Sequence, residues 1–467
     1  MPTVARLAAG GVRFADHHAV YPTHTRVNIS TLATGSTPGR HGIVANTMLV
    51  PDATDDHIID TSNYQHLDAL DRFSGGAALM AQSLGDILAE RGERVAVAAT
   101  SSGGASMLWT RKDRGRIVNV NTTFGIADLY DLREKLGEVP EPVLPQVERA
   151  RYAARAVTDI FLEDPRNRVI VLWLNEPDAS LHRFGLGSPE TVQAMRAVDE
   201  CVALTVDAMD RRGLRDAFDI FFMSDHGHST VQSHQTLREY LLVAERELSG
   251  ALPPLATASD YIYAAPGTMP PDAVSLAPLV EWLVSQPWCD VVCAGREDLE
   301  QLPGVLPLRA LWNGKLTSRS PLLSVSPRWS REVNDFGIPG AVASLTTQSA
   351  LKSTHGSLSP FDLHATLIAH GPRFREGVVT DIPSGAVDLL PTIVQLLGIE
   401  SALPFDGRVL VEAMSAPDGE PDQPQDQVIE AVSQSNGDGA RVRLRRVGST
   451  TYIDGSLRES MVRTMVS

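Results

Sequence analysis

Asp178 and His182 stand four residues apart, directly after the apolar run Val-Ile-Val-Leu-Trp-Leu at 169–174. Asp225 and His226 follow a second run, Ile-Phe-Phe-Met at 220–223, inside Ser-Asp-His-Gly. His355 lies in a third cluster, Ser-Thr-His-Gly at 353–356. Carboxylate and imidazole together suit zinc and similar borderline divalent ions. An isolated Asp-x-x-x-His is usually a solvated surface pair, but here the first two clusters follow buried-looking runs. Polar side chains desolvated at such a place need partners, and a cation provides one. The chemistry these residues would support is metal-assisted hydrolysis.

Hydrolysis of a phosphate ester also needs a nucleophile and an anion site. The stretch from Tyr21 to Gly35 offers Thr25, placed to open a helix that Gly35 would stop. Backbone N–H groups of that first turn would face a phosphate oxygen. A nearby cation would lower the pKa of the hydroxyl and activate it. Taken alone, the stretch favours Thr25 as a plain N-cap.

These residues must be held by elements, and the pattern supplies them. Helical spacing covers 75–91, 146–164 and 189–212, and apolar strands follow at 95–99, 169–174 and 220–223. Continuous apolar runs alternating with helices predict an α/β fold, a mostly parallel sheet covered by helices on both faces. Ligands of such sheets collect beyond the carboxyl ends of the strands, where both Asp/His clusters fall. From 232 to 345 prolines become frequent and strands shorten, as at 261–265 and 291–294, which reads as an inserted cap-like lobe. Its Trp288, Trp312 and Trp329 read as packing residues. A helix at 386–397 stopped by Gly398 closes a catalytic region spanning 1–410. Residues 411–427 read as an acidic, Pro-rich linker, and 428–467 as a tail with a hairpin formed by 440–446 and 450–453.

Composition narrows the class further. The chain has 467 residues, 43% hydrophobic and 21% charged, ordinary for a globular protein with a sizeable core. A net charge of −16 disfavours duplex nucleic acid and anionic membrane as partners. It also repels a phosphate ester, so attraction must be local, as bound cations would make it. Three cysteines, Cys201, Cys289 and Cys293, make no disulfide framework. No apolar stretch is long enough to span a bilayer, and the N-terminus has no secretory core, so the chain as written reads as cytoplasmic.

Four ordered motifs resemble the type I phosphodiesterase/nucleotide pyrophosphatase family of the alkaline phosphatase superfamily. They are Tyr-Pro-Thr-His-Thr25 leading to Arg-His41-Gly-Ile-Val-Ala-Asn46, Glu-Pro-Asp178 with His182, Ser-Asp225-His226-Gly, and Thr-His355-Gly. Gly371-Pro-Arg-Phe and Val387-Asp-Leu-Leu-Pro-Thr392 look like later elements of that family, so the resemblance covers roughly 1–400. It implies a hydrolase of phosphodiester or pyrophosphate bonds acting on small nucleotide-type esters with two zinc ions. Thr25 would be the nucleophile, forming a covalent phospho- or nucleotidyl-threonine, and Asn46 a donor to a phosphate oxygen. Asp178, His182 and His355 would hold one ion, Asp225 and His226 the other. A phosphonate or phosphomonoester hydrolase could use the same groups. A sulfatase would need Cys or Ser in a Cys/Ser-x-Pro-x-Arg setting, which Thr25-Arg-Val-Asn28 lacks.

The chain departs from the family pattern at its start. The family's first core strand, which ends in a further Asp ligand, normally lies about 35 residues before the nucleophile, and here Thr25 has 24 residues ahead of it. Residues 1–14 read as the helix that follows that strand, and Asp16 is not taken as the missing ligand. Two readings stand. Either the natural start lies upstream, with the strand and an export signal that would make the protein secreted or periplasmic, or the chain lacks the strand and is a pseudo-enzyme with an incomplete second metal site. His228 reads as hydrogen-bonded or substrate-facing, His24 and His41 as structural, and His17, His18, His364 and His370 match no ligand pattern.

Overall fold

The computed structural model describes residues 1–126, 129–250, 252–346, 350–400, 403–417, 419–432 and 439–457. The sheet core is built by α1 (Pro2–Ala9), β1 (Val12–His18), α2 (Thr25–Thr34), α3 (Leu84–Ala89), β2 (Arg94–Ala99), α4 (Gly103–Trp109), β3 (Arg116–Asn119) and β4 (Thr122–Phe124). It continues with α5 (Val147–Asp159), β5 (Asn167–Trp173), α6 (Asp178–Phe184), α7 (Pro189–Arg211), β6 (Ile220–Met223), β7 (His364–His370) and β8 (Val378–Thr380).

β2 shows why an apolar run makes a buried strand here. Val95, Val97 and Ala99 face the core shared with α2, α3 and α4. Ala96 and Ala98 face the opposite core, under Tyr152, Ala153 and Ala156 of α5. Both faces are covered by helices, so no alternation of polar residues survives in the sequence.

The single, mostly parallel sheet of the sequence reading is divided in two. One sheet has the order β4-β3-β2-β5, with β2 parallel to both β3 and β5. The other has the order β8-β1-β7-β6, and in it β7 runs antiparallel to β1 and to β6. β5 and β6 are therefore edge strands of different sheets, and among the described residues no strand pairs with their facing edges. They still share a core, because Val169, Val171 and Trp173 of β5 and Phe221 and Met223 of β6 pack on the same apolar cluster. The long helix α7 spans both sheets from outside: Cys201 packs with Ala150, Ala154 and Leu172, and Val206 with Leu7 and Ile368.

Several boundaries differ from expectation for local reasons. The helix expected over 1–14 ends at Ala9, because Gly10 and Gly11 let the chain turn straight into β1. A Cβ on Gly11 would lie 2.3 Å from the Ala369 carbonyl oxygen, so only glycine fits there. The helix expected over 75–91 shrinks to α3, since Gly75 and Gly76 have φ of 66° and 96° and Ser83 starts α3 with a capping box to Asp86. The helix expected over 386–397 is α-helical over Leu389–Leu396, and Gly398 at φ 64° ends it.

Within 232–345 a second five-stranded sheet includes Tyr261–Ala264 and Cys289–Ala294. One face, with Tyr261 and Cys293, packs on the main core, and the other, with Ile262 and Val292, packs under helices Leu237–Glu247 and Ala273–Ser285. Trp312 is fully buried, its indole N–H bonded to the Tyr21 carbonyl at 2.7 Å.

The C-terminal part forms a three-stranded antiparallel sheet of β9 (Gln425–Ala431), β10 (Ala440–Val447) and β11 (Thr450–Leu457). The expected hairpin is β10–β11, with Gly448 in the left-handed region at φ 59°. The stretch read as a linker is more ordered than its composition suggests. Leu410 and Ala413 are buried against β1 and β7, and residues 425–427 already belong to β9. The parts of the tail at 433–438 and 458–467 lie outside the described residues.

Candidate metal-dependent active site

The carboxyl ends of β5 and β6 and the first turn of α2 converge on one spot. Asp178 opens α6 just past β5, and His182 follows one turn later on the same face. The Asp178 Oδ1 atom is 2.8 Å from His228 Nε2, 3.4 Å from His182 Nε2 and 3.6 Å from His355 Nε2. Asp225 Oδ2 lies 3.3 Å from His226 Nε2, and the His226 ring stacks on His355 with centroids 3.6 Å apart. All five residues expected to bind metal are thus brought together. They form one contiguous cluster in which the His226–His355 stack joins the two sets expected to be separate.

His228, read from the sequence as hydrogen-bonded or substrate-facing, is hydrogen-bonded to Asp178 and joins the cluster. It is 8% exposed and faces Asp178, and Asp178, His226, His228 and His355 present ligand atoms all within 4.8 Å of one another. The only hint in the sequence was its place two residues beyond His226.

The orientation of the rings decides what they can do. His182 Nδ1 donates to the Ser353 carbonyl, His226 Nδ1 to the Gly227 carbonyl and His355 Nδ1 to the Thr23 carbonyl, at 2.8, 2.9 and 2.6 Å. The Ser353 hydroxyl donates to the Leu181 carbonyl at 2.7 Å and accepts from His228 Nδ1 at 3.3 Å. With Nδ1 of His182, His226 and His355 donating to carbonyls, a neutral ring turns the Nε2 lone pair inward, the arrangement that metal-ligating histidines adopt, while His228 Nε2 is hydrogen-bonded to Asp178 Oδ1.

The carboxylates fit the same occupant. Asp225 Oδ2 is buried and makes no hydrogen bond. Burial, and then the charge of Asp178, pushes the Asp225 carboxyl up to about 8. Burial works against ionised Asp178 too, but His182 and His228 hold it well below the usual carboxylate range. Burial pushes His226 and His228 down to about 4, so both rings are neutral near neutrality. The donor set fits divalent borderline cations.

Thr25 is the first residue of α2, and the N-cap is His24 rather than Thr25. Its hydroxyl instead faces His226 Nε2 at 3.2 Å. The Arg26 N–H, expected to face a phosphate, is taken by Asn46 Oδ1 at 3.1 Å. That contact brings Asn46 beside Thr25 and leaves the Asn46 amide N–H₂ as a donor. His24 positions Asn46 in turn, with Nδ1 accepting from the Asn46 N–H at 3.3 Å and Nε2 lying 3.8 Å from Asp260. Neither that link nor Arg26 was legible in the sequence. The Arg26 guanidinium, placed by burial below its ordinary pKa, feels the opposing charges of Asp60, Asp178 and Asp225.

A family model described as type I phosphodiesterase/nucleotide pyrophosphatase matches residues 1–270. The chain belongs to the type I phosphodiesterase/nucleotide pyrophosphatase family. Human ectonucleotide pyrophosphatase/phosphodiesterase family member 1 is 25% identical over 247 residues, 52% of this chain and 23% of that protein. Venom phosphodiesterase of Macrovipera lebetinus is 24% identical over 242 residues, 50% of this chain and 24% of that protein. The chain thus spans about a quarter of the length of these curated relatives. Murine ectonucleotide pyrophosphatase/phosphodiesterase 5 has a similar fold, with a TM-score of 0.61 at 20% identity, covering 89% of this chain and 94% of that one. Among the described residues no helix of this family member is long and apolar enough to cross a membrane.

Proposed function

We propose that the protein hydrolyses phosphodiester or pyrophosphate bonds of small nucleotide-type substrates through a covalent intermediate on Thr25. One observation carries this reading: four imidazoles, each tied at Nδ1, aim Nε2 at the spot where Asp178, Asp225 and the Thr25 hydroxyl meet. Asp178, His182 and His355 would hold one divalent ion, Asp225 and His226 a second, and His228 adds a ligand to the Asp178 side. Such ions, zinc by the chemistry of the donors, lower the pKa of a nearby hydroxyl and offset charge on the phosphoryl oxygens.

The chain's own groups do the rest. Thr25 Oγ1 forms a bond to phosphorus as the bond to the leaving oxygen breaks, and its proton leaves to that oxygen or to solvent. Asn46 donates its amide N–H to a phosphoryl oxygen, held in place by Arg26 N–H and His24. Water then cleaves the phosphothreonine ester and restores Thr25.

Arg26 favours a second reading, a phosphomonoester hydrolase, because a guanidinium next to the nucleophile would balance the extra charge of a monoester. The test is hydrolysis of bis(p-nitrophenyl) phosphate against p-nitrophenyl phosphate, before and after chelation. Zinc-restored activity favouring the diester is the expected result. Preference for the monoester, weakened most by Arg26→Ala, would establish the second reading, and zinc-independent activity would overturn both.

A further inference from the structure

A second group of ligand-type side chains lies where the carboxyl end of β1 meets the start of β7, and neither the family reading nor the proposed reaction uses it. Asp16 and His18 are on β1, His364 opens β7, and Asp454 is on β11. His18 Nε2 is 3.2 Å from Asp16 Oδ1 and 3.6 Å from Asp454 Oδ1. His364 Nε2 is 3.1 Å from Asp454 Oδ1, and its Nδ1 is 4.0 Å from Asp16 Oδ1. One ligand atom from each of the four falls within 4.8 Å of the others. Zinc with N and O ligands at about 2.0–2.2 Å sets neighbouring ligand atoms about 3.3–3.6 Å apart in a tetrahedron.

His18 shows that the cluster is more than an acidic patch. Its ring is 1% exposed, and Nδ1 donates to the Ser384 carbonyl at 3.0 Å. Nε2 is buried and makes no hydrogen bond, although it points at two carboxylate oxygens. A neutral ring so tied directs a lone pair at anionic oxygens, which is repulsive without a cation between them. The outer oxygens are already engaged: Arg445 bonds Asp16 Oδ2 and also pairs with Asp426, while Arg443 is 3.4 Å from Asp454 Oδ2. Both arginines are part-exposed and fix the carboxylates so that each Oδ1 faces inward.

We propose that Asp16, His18, His364 and Asp454 form a separate site for a zinc-like divalent cation, a clamp that fastens the C-terminal three-stranded sheet to β1 and β7. Because β11 supplies one ligand and β1 and β7 the others, cation binding there stiffens the contact between the two sheets. The clamp does not depend on the catalytic reading.

The test removes the catalytic ligands first. In an Asp178→Asn/His355→Ala background, zinc per chain is measured by mass spectrometry after equilibrium dialysis, with and without the added change His364→Ala. His364 is a part-exposed strand-end residue, and circular dichroism checks the fold of each protein. Cobalt(II) replacing zinc gives an independent spectroscopic reading of a four-coordinate site. The expected result is about one zinc per chain in the background, lost on adding His364→Ala, together with a cobalt absorption band that disappears in parallel. Equal zinc content with and without His364, or no zinc in the background, would overturn the clamp and leave a proton-sharing cluster of ion pairs.

Discussion

The Thr25 hydroxyl donates to His226 Nε2 across 3.2 Å, because the His226 Nδ1 proton is committed to the Gly227 carbonyl. The lone pair that now receives the Thr25 proton is the same one a cation would take. Nucleophile and candidate ligand are therefore joined by a single contact.

His228 stands against Asp178 at 2.8 Å and should act as a metal ligand rather than a substrate contact. His228→Gln is expected to weaken zinc affinity by roughly 10–100-fold, the range seen when groups supporting a metal site are lost. Competition with a chromophoric chelator measures it. Unchanged affinity with altered KM would instead place His228 against the substrate.

Asn46 has two separable jobs. Its Oδ1 caps the Arg26 N–H, and its amide is assigned to a phosphoryl oxygen. Asn46→Asp keeps the acceptor and removes the donor, so kcat should fall about 10²–10³-fold, as for loss of one oxyanion donor. Asn46→Ala should lose that activity and also about 1 kcal/mol of stability, a typical cap loss. Thermal melts with kinetics on both variants check this, and full activity in Asn46→Asp would remove Asn46 from the reaction.

Asp388 gives stability a pH dependence away from the active site. Burial raises its carboxyl to about 6, against the opposing effect of Arg408, and it accepts from Tyr452 Oη at 2.8 Å. A folded-state value above the unfolded one means that the folded protein holds this proton longer. The contribution is complete below the ordinary carboxylate value of 3.8 and is lost as pH rises through about 6. Relative to Asp388→Asn, the protein should lose up to ~1.4 kcal/mol per pH unit across that window. Denaturant midpoints of both proteins from pH 4 to 7 test it, and a constant difference between them would contradict it.

The sequence carried the parts of this architecture that depend on local pattern. The apolar runs at 169–174 and 220–223 became β5 and β6 almost residue for residue, since both strands pack on the shared apolar core. Gly35 and Gly398 ended helices where their left-handed conformations allow. Relations between distant residues were not legible. His228 meets Asp178 only because β5 and β6 end side by side, His24 is braced by Asp260 from the turn before Tyr261–Ala264, and Asp454 reaches His18 from β11. Helical spacing at 75–91 misled because Gly75 and Gly76 break a pattern their neighbours would support. The antiparallel course of β7 left no trace at all, because pairing direction is not written in apolar runs.

The central claim is that Thr25 carries the covalent intermediate, and acid-quenched turnover of a p-nitrophenyl phosphodiester, followed by peptide mass spectrometry, tests it most directly. The zinc-loaded protein should show the transferred phosphoryl group on the peptide containing Thr25. Thr25→Ala should lose that adduct and at least ~10³-fold in kcat while keeping its zinc, in line with the cost of deleting a nucleophile. Turnover undiminished in Thr25→Ala, or an adduct on another residue, would contradict the account.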